Sequence, residues 1–199
     1  MNGLHPAHIP SEAPDIEVLD LAGNPARLSD YWQSGLTALV FMRHAGCIFC
    51  REQIQELRDN AGALEDAGLS VVVITPDRPS RAMKFVEEFR VPFPTLTDPE
   101  RNAYRAYGLM DGSFSQLVNP RIVARGAKAT LKGNLLNRPS SSPRQLPGTA
   151  IVDANGRLRH LQHARDAAGH LTSRQLIELA RNVESPSPRR GGVGEGFLA

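Results

Sequence analysis

Cys47-Ile48-Phe49-Cys50 carries the only two cysteines of the 199 residues. Thiols three positions apart on a helix share one face, with Cβ atoms about 5 to 6 Å apart. Small adjustments at a helix start bring such a pair to the ~3.8 Å that a disulfide requires. The surrounding phrase, Phe41-Met42-Arg43-His44-Ala45-Gly46-Cys47-Ile48-Phe49-Cys50-Arg51, places Cys47 where an apolar run and a glycine-containing loop give way to a helical pattern. A thiol there faces unpaired backbone N–H groups and the positive end of the helix dipole, which favour its thiolate. A redox pair is the preferred reading. Two other readings stand beside it: cysteines that merely fill space as small hydrophobes, and a metal half-site, His44-x-x-Cys47-x-x-Cys50. The second lacks a further pair of ligands, so no metal or other cofactor is predicted.

The elements that position this pair follow from periodicity. Leu36–Met42 and Leu69–Thr75 are near-continuous apolar runs, the pattern of strands buried on both faces. After Cys47 the period changes: Ile54, Leu57, Ala61 and Leu64 recur at threes and fours, with Gly68 as the stop. Asp15–Leu21 reads as a strand before the turn Ala22-Gly23-Asn24-Pro25, and Ser29 as the cap of a short helical turn. Pro76-Asp77-Arg78-Pro79 turns the chain into a second helix capped by Ser80 and carrying Met83, Val86 and Phe89. Phe93–Thr97 reads as a short strand and Pro99–Leu109 as a third helix. Thr149–Asp153 and Arg157–His163 form a predicted hairpin around Asn155-Gly156. A last helix runs from its cap, Thr172, to about Val183. Strands alternating with helices predict an α/β sandwich.

Length and composition limit what this unit can be. At about 150 residues per domain the chain is one domain with loose ends: an arm over 1–14, a domain over 15–183 and a Pro/Gly/Ser-rich tail over 184–199. The longest apolar runs fall far short of the roughly 18 residues of a spanning helix, so no membrane is implied. A net charge of +2 makes no general case for nucleic acid. The N-terminus, MNGLHPAHIPSEAPD, has no basic start and no apolar core of a signal peptide, so the expectation is a cytoplasmic protein. Charge is uneven, however. Residues 111–147 hold Arg121, Arg125, Lys128, Lys132, Arg138 and Arg144 against Asp111, a net +5 that leaves the remainder at −3. Four of these bases step by four, three and four, one stripe of a helix, which reads as a solvated face or as a rim that attracts an anionic substrate or partner. His160, His163 and His170 are expected at the surface.

The chain resembles the thioredoxin-fold superfamily, and within it the AhpC/TSA peroxiredoxin-like group, in particular the peroxiredoxin-like 2 branch. The resemblance covers about residues 15–183. It rests on Val18-Leu19-Asp20-Leu21-Ala22-Gly23, Leu28-Ser29-Asp30-Tyr31, the strand with its C-x-x-C, Gly148-Thr149-Ala150-Ile151-Val152-Asp153-Ala154-Asn155-Gly156, and His163-Ala164-Arg165-Asp166-Ala167-Ala168-Gly169-His170. The resemblance implies a three-layer sandwich with a central mixed sheet and an inserted helical segment. It implies an oxidoreductase in which Cys47 attacks a peroxide, endoperoxide or disulfide and Cys50 resolves the product to a disulfide, with thioredoxin or glutathione as reductant. It implies a cis Leu146–Pro147 bond beside the cysteines, with Gly148 and Thr149 following, where an ordinary loop proline is the other reading. The pattern also departs from typical peroxiredoxins, which keep a proline and a threonine seven and three residues before the reactive cysteine. Val40 and His44 stand there, which departs from the residues that hold the peroxide O–O bond in the family; Arg43 or His44 is the candidate substitute, a cation beside Cys47 stabilising thiolate and leaving oxygen alike, with a solvated Arg43 as the other reading. A protein disulfide reductase and a non-catalytic binding module on the same fold are the alternatives.

Overall fold

A strand as apolar as Leu36–Phe41 needs cover on both faces and a neighbour along both edges. The computed structural model, which describes residues 12–109, 111–113 and 144–184, provides both. β3 (Leu36–Phe41) pairs in parallel with β4 (Leu69–Thr75) and antiparallel with β6 (Gly148–Val152). Outward from these lie β5 (Thr95–Thr97), β1 (Glu17–Leu19) and β2 (Pro25–Arg27) on one side and β7 (Leu158–His163) on the other. Among the described residues the order is β2-β1-β5-β4-β3-β6-β7. The sheet is mixed, as expected. β2 was not: it returns against β1 after Gly23 takes φ +90° and the Asp20 carboxylate accepts the Asn24 N–H at 2.8 Å.

Side chains alternate across β3, so it feeds two cores. Ala38 and Val40, with Met42 beyond the strand end, meet α1 (Ile48–Asp59), α2 (Ala61–Asp66), α3 (Pro79–Phe89) and α5 (Ser173–Glu184) through Ile54, Leu57, Leu64, Phe85, Phe89 and Leu176. Leu39 and Phe41 face the other layer, which holds Leu28, Trp32 and, from α4 (Asn102–Ala106), Tyr104, with Tyr107 just after it. Phe41 meets the Tyr104 ring edge-on at 5.2 Å between centroids. Both cysteines lie in the first layer.

Several local expectations need correction. The helix after Cys47 does not run unbroken to Gly68: the Asn60 amide donates to the Glu56 carbonyl at 2.7 Å, competing with the helical ladder, and α1 gives way to α2. Ser80 does not cap α3; Arg78 is the cap residue, and Pro79 takes the first helical position, where its missing N–H costs nothing. Met83 is 40% exposed because the buried stripe is Ala82, Phe85 and Phe89. Ser29 caps nothing either. Its N–H goes to Asp15, and Asp30 closes the turn Leu28–Tyr31 by accepting the Arg27 N–H. The helix expected over Pro99–Leu109 shrinks to α4, because the Asp98 carboxylate collects the N–H groups of Asn102 and Ala103. Thr172 does cap α5, in a reciprocal pair with Gln175. The basic stripe Arg121–Lys132, the tail from 185 and most of the N-terminal arm lie outside the described residues. Among those described, no helix is long and apolar enough to cross a membrane.

Candidate active site

Both parallel central strands end beneath the cysteines, and the floor there is fixed by one side chain. The hydroxyl of buried Tyr104 lies 2.7 Å from the carbonyl of Met42, just past β3, and 2.9 Å from that of Ile74, near the end of β4. From that floor the loop 43–47 rises to α1. It is clamped at Ala45, whose N–H donates to Asp77 at 2.6 Å and whose carbonyl accepts from Arg51 Nε at 3.0 Å. Asp77 is itself buried and accepts the Thr75 hydroxyl at 2.6 Å, and the Arg51 guanidinium lies 4.9 Å over the Phe89 ring. Tyr104, Asp77 and Arg51, held in turn by Thr75 and Phe89, therefore set the height of Cys47 above the sheet.

Cys47 is the N-cap residue of α1, with extended backbone angles, and the N–H groups of Phe49 and Cys50 at the helix start favour its thiolate without forming a side-chain cap. Both thiols are reduced and buried. Their acidities diverge. The Cys50 thiol hydrogen-bonds the Cys47 sulfur, and this contact, helped by the Arg43 charge and the helix N–H groups and opposed by burial, brings Cys47 down to about 6. Burial pushes Cys50 up, and the neighbouring Cys47 sulfur adds to the shift. At neutral pH the first sulfur is a thiolate and the second a thiol.

Arg43 joins the parts. It is buried rather than solvated: its Nη1 donates to the Cys47 sulfur at 3.4 Å, its Nε to the Gln145 carbonyl at 2.8 Å, and its main-chain N–H to the Cys50 sulfur at 3.3 Å. Gln145 is buried too, and its side chain ties Leu109, Leu146 and Arg101 together. His44 is buried beside them, and burial, reinforced by the Arg43 charge, holds its imidazole down to about 4, so it is neutral near pH 7.

The segment 146–149 is brought alongside, with one correction. Leu146–Pro147 is trans, as are all peptide bonds described. Trans is the default by about 0.5–1 kcal/mol, and it lets the chain run straight into β6 while the Pro147 carbonyl accepts the Ala164 N–H at 3.1 Å. That carbonyl is therefore engaged within the fold. Gly148 pairs with Phe41 and Thr149 with Val40. A Cβ on Gly148 would strike the Leu109 side chain and come within 2.9 Å of the Gln162 carbonyl. Gly148→Ala is thus expected to destabilise the fold by about 1–3 kcal/mol, read as a lower urea midpoint at unchanged slope.

Asp77, Arg51, Gln145 and Tyr104 were not anticipated. For Asp77 a signal existed: residues following two adjacent parallel strands meet at one sheet edge, and Asp77 stands two residues after β4 as Arg43 does after β3. His160, expected at the surface, is half-buried with an unpartnered Nε2, whereas His163 reaches the Tyr107 carbonyl at 2.8 Å.

Comparison with known proteins gives this geometry a setting. The AhpC/TSA family model matches residues 9–161. The thioredoxin-like protein AAED1, chloroplastic, of Arabidopsis thaliana is 31% identical over 118 residues, 59% of this chain and 47% of that protein, so the chain spans about half the length of this relative. Peroxiredoxin-like 2C of Bos taurus is 22% identical over 83% of this chain and 76% of its own length. The crystal structure of peroxidoxin BcpB from Mycobacterium tuberculosis superposes with a TM-score of 0.62 at 19% identity, covering 87% of this chain and 96% of that one, a likeness of fold.

Proposed function

Because the chain belongs to the AhpC/TSA family, we propose that it is a thiol-dependent oxidoreductase that reduces peroxides, with Cys47 as nucleophile and Cys50 as resolving thiol. The observation that carries this reading is the opposed acidity of two sulfurs held by one arginine. The Cys47 thiolate forms an S–O bond as the O–O bond breaks. The departing oxygen leaves with the bonding pair and takes a proton from water, so sulfur is oxidised to a sulfenic acid and the peroxide is reduced to water or an alcohol. Cys50 then gives up its proton and attacks the sulfenic sulfur; water leaves and a disulfide forms. Arg43 sits where it stabilises first the thiolate and then the negative charge developing on the departing oxygen.

Two further electrons must return the disulfide to dithiol. With no third cysteine in the sequence, an external thiol supplies them, and we assign this role to thioredoxin or glutathione in the cytoplasm. The three-part division into an arm, a domain over 15–183 with its insertion, and a tail belongs to the same proposal. Rapid mixing of the reduced protein with hydrogen peroxide, an organic hydroperoxide and a small disulfide tests the substrate class. Peroxides are expected to oxidise the protein faster than they oxidise free cysteine; equality with free cysteine would refute a peroxidase, and a preference for the disulfide would make the protein a disulfide reductase.

A further inference from the structure

A cationic cavity lies between α1 and α3. Arg81, Lys84, Phe85 and Glu88 stand at i, i+3, i+4 and i+7 on α3, one face of that helix. With Arg51 of α1 and Ala45 of the loop they line a space of about 120 Å³. Three bases meet one acid there, a net +2. Bases on a helix surface ordinarily point into water. Arg51 does not: it is 5% exposed, with its guanidinium oriented by the Nε bond to the Ala45 carbonyl at 3.0 Å and by the Phe89 ring 4.9 Å away. Glu88, the one carboxylate of the lining, is exposed and comes only within 3.8 Å of the Arg51 Nη1, outside hydrogen-bond range, so it balances that buried charge loosely. Arg81 is half-buried and Lys84 exposed, which leaves the space open to ions from solution.

We infer that this cavity binds inorganic phosphate, or an oxyanion of the same size and charge, and that the bound anion steadies the loop that carries Cys47. Two planar guanidinium forks and an ammonium suit the several oxygens of a tetrahedral dianion far better than they suit a halide. Arg51 is already oriented, so little freedom is lost when the anion arrives. Arg51 also couples the cavity to the loop: its side chain holds the Ala45 carbonyl, and its main-chain N–H donates to the Cys47 carbonyl at 3.1 Å. An anion on the Nη atoms leaves the Nε bond in place and pins the loop from a second side. Glu88 competes for the same guanidinium and must swing toward water as the anion enters. No covalent bond or proton changes hands, and the inference is independent of what Cys47 attacks.

The test is calorimetric titration of the reduced full-length protein with sodium phosphate at constant ionic strength, with sodium sulfate and sodium chloride alongside. It is run on the wild type, on the double variant Arg81→Gln with Lys84→Gln, and on Glu88→Gln. These side chains are half-buried or exposed, so the variants are expected to keep the wild-type urea midpoint without phosphate. Phosphate should bind, sulfate should compete with it, and chloride should do neither. The double variant should bind phosphate about tenfold or more weakly. Glu88→Gln, which removes the competing carboxylate, should bind it about two- to fivefold more tightly. Saturating phosphate should also slow amide exchange across residues 43–47 in the wild type and leave the double variant unchanged. Phosphate that binds no better than chloride, or that binds the double variant as tightly as the wild type, would overturn the site. Weaker binding by Glu88→Gln would contradict the competition, and tight binding with unaltered exchange at 43–47 would overturn the link to the loop.

Discussion

Cys47→Ser is expected to lose peroxide turnover by on the order of 10⁴-fold or more, the scale on which removing a nucleophile acts, while Cys50→Ser keeps the first oxidation and stops there. The asymmetry follows from what each sulfur touches. Cys47 accepts from the Arg43 guanidinium and has the Cys50 thiol and the start of α1 beside it, all of which favour its thiolate. A serine in its place is a far weaker nucleophile at neutral pH. At position 50 a serine hydroxyl still donates to the Cys47 sulfur, so the thiolate survives and its sulfenic acid accumulates, trappable by a dione reagent and visible by mass. Cys50→Ala removes that donor, and its Cys47 midpoint should rise above about 6. Turnover by Cys47→Ser at the wild-type rate, or a Cys50→Ser protein whose Cys47 resists oxidation, would reverse the assignment.

Arg43→Met is the second large effect. It removes the guanidinium that donates to the Cys47 sulfur and the donor on the Gln145 carbonyl, while the main-chain N–H on Cys50 stays. The Cys47 midpoint should move up toward an ordinary thiol. The peroxide rate should fall about 10- to 10³-fold, as when one charge-stabilising donor is lost from a catalytic site. The unpaired Gln145 carbonyl should cost about 1–3 kcal/mol of stability as well. Arg43→Lys restores the charge but not the fork that spans sulfur and carbonyl, so it should recover the midpoint better than the stability. Thiol titration by ultraviolet absorbance and urea unfolding separate the two losses.

The parts of this site that repeat local patterns were readable from the chain. The apolar run 36–42, the change of period after Cys47 and the glycine stop at Gly68, which takes φ +67°, each constrain the backbone locally, and together they put Cys47 at a helix start. What was not readable depends on contacts distant in sequence. Arg43 was as plausible on the surface as inside until its bond to Gln145, 102 residues away, was seen. Asp77 and Tyr104 act on the loop from 32 and 62 residues away, and no local pattern marks either. The Leu146–Pro147 bond went against the resemblance because the demand of β6 for a straight entry and an engaged Pro147 carbonyl decides the isomer here. The caps expected at Ser29 and Ser80 are not made, because Asp30 closes the first turn and Pro79 at the first helical position puts Arg78 at the cap of α3.

The division of labour between two sulfurs three residues apart is most directly tested by pulse alkylation of the reduced wild-type protein across pH, with each cysteine read separately by peptide mass. Thiolate reacts and thiol does not, so Cys47 should label with a midpoint of about 6 and lose reactivity as the pH falls through that value, while Cys50 stays unlabelled well above it. Two cysteines labelling together, with a common midpoint in the ordinary thiol range, would contradict the assignment of Cys47 as a thiolate nucleophile.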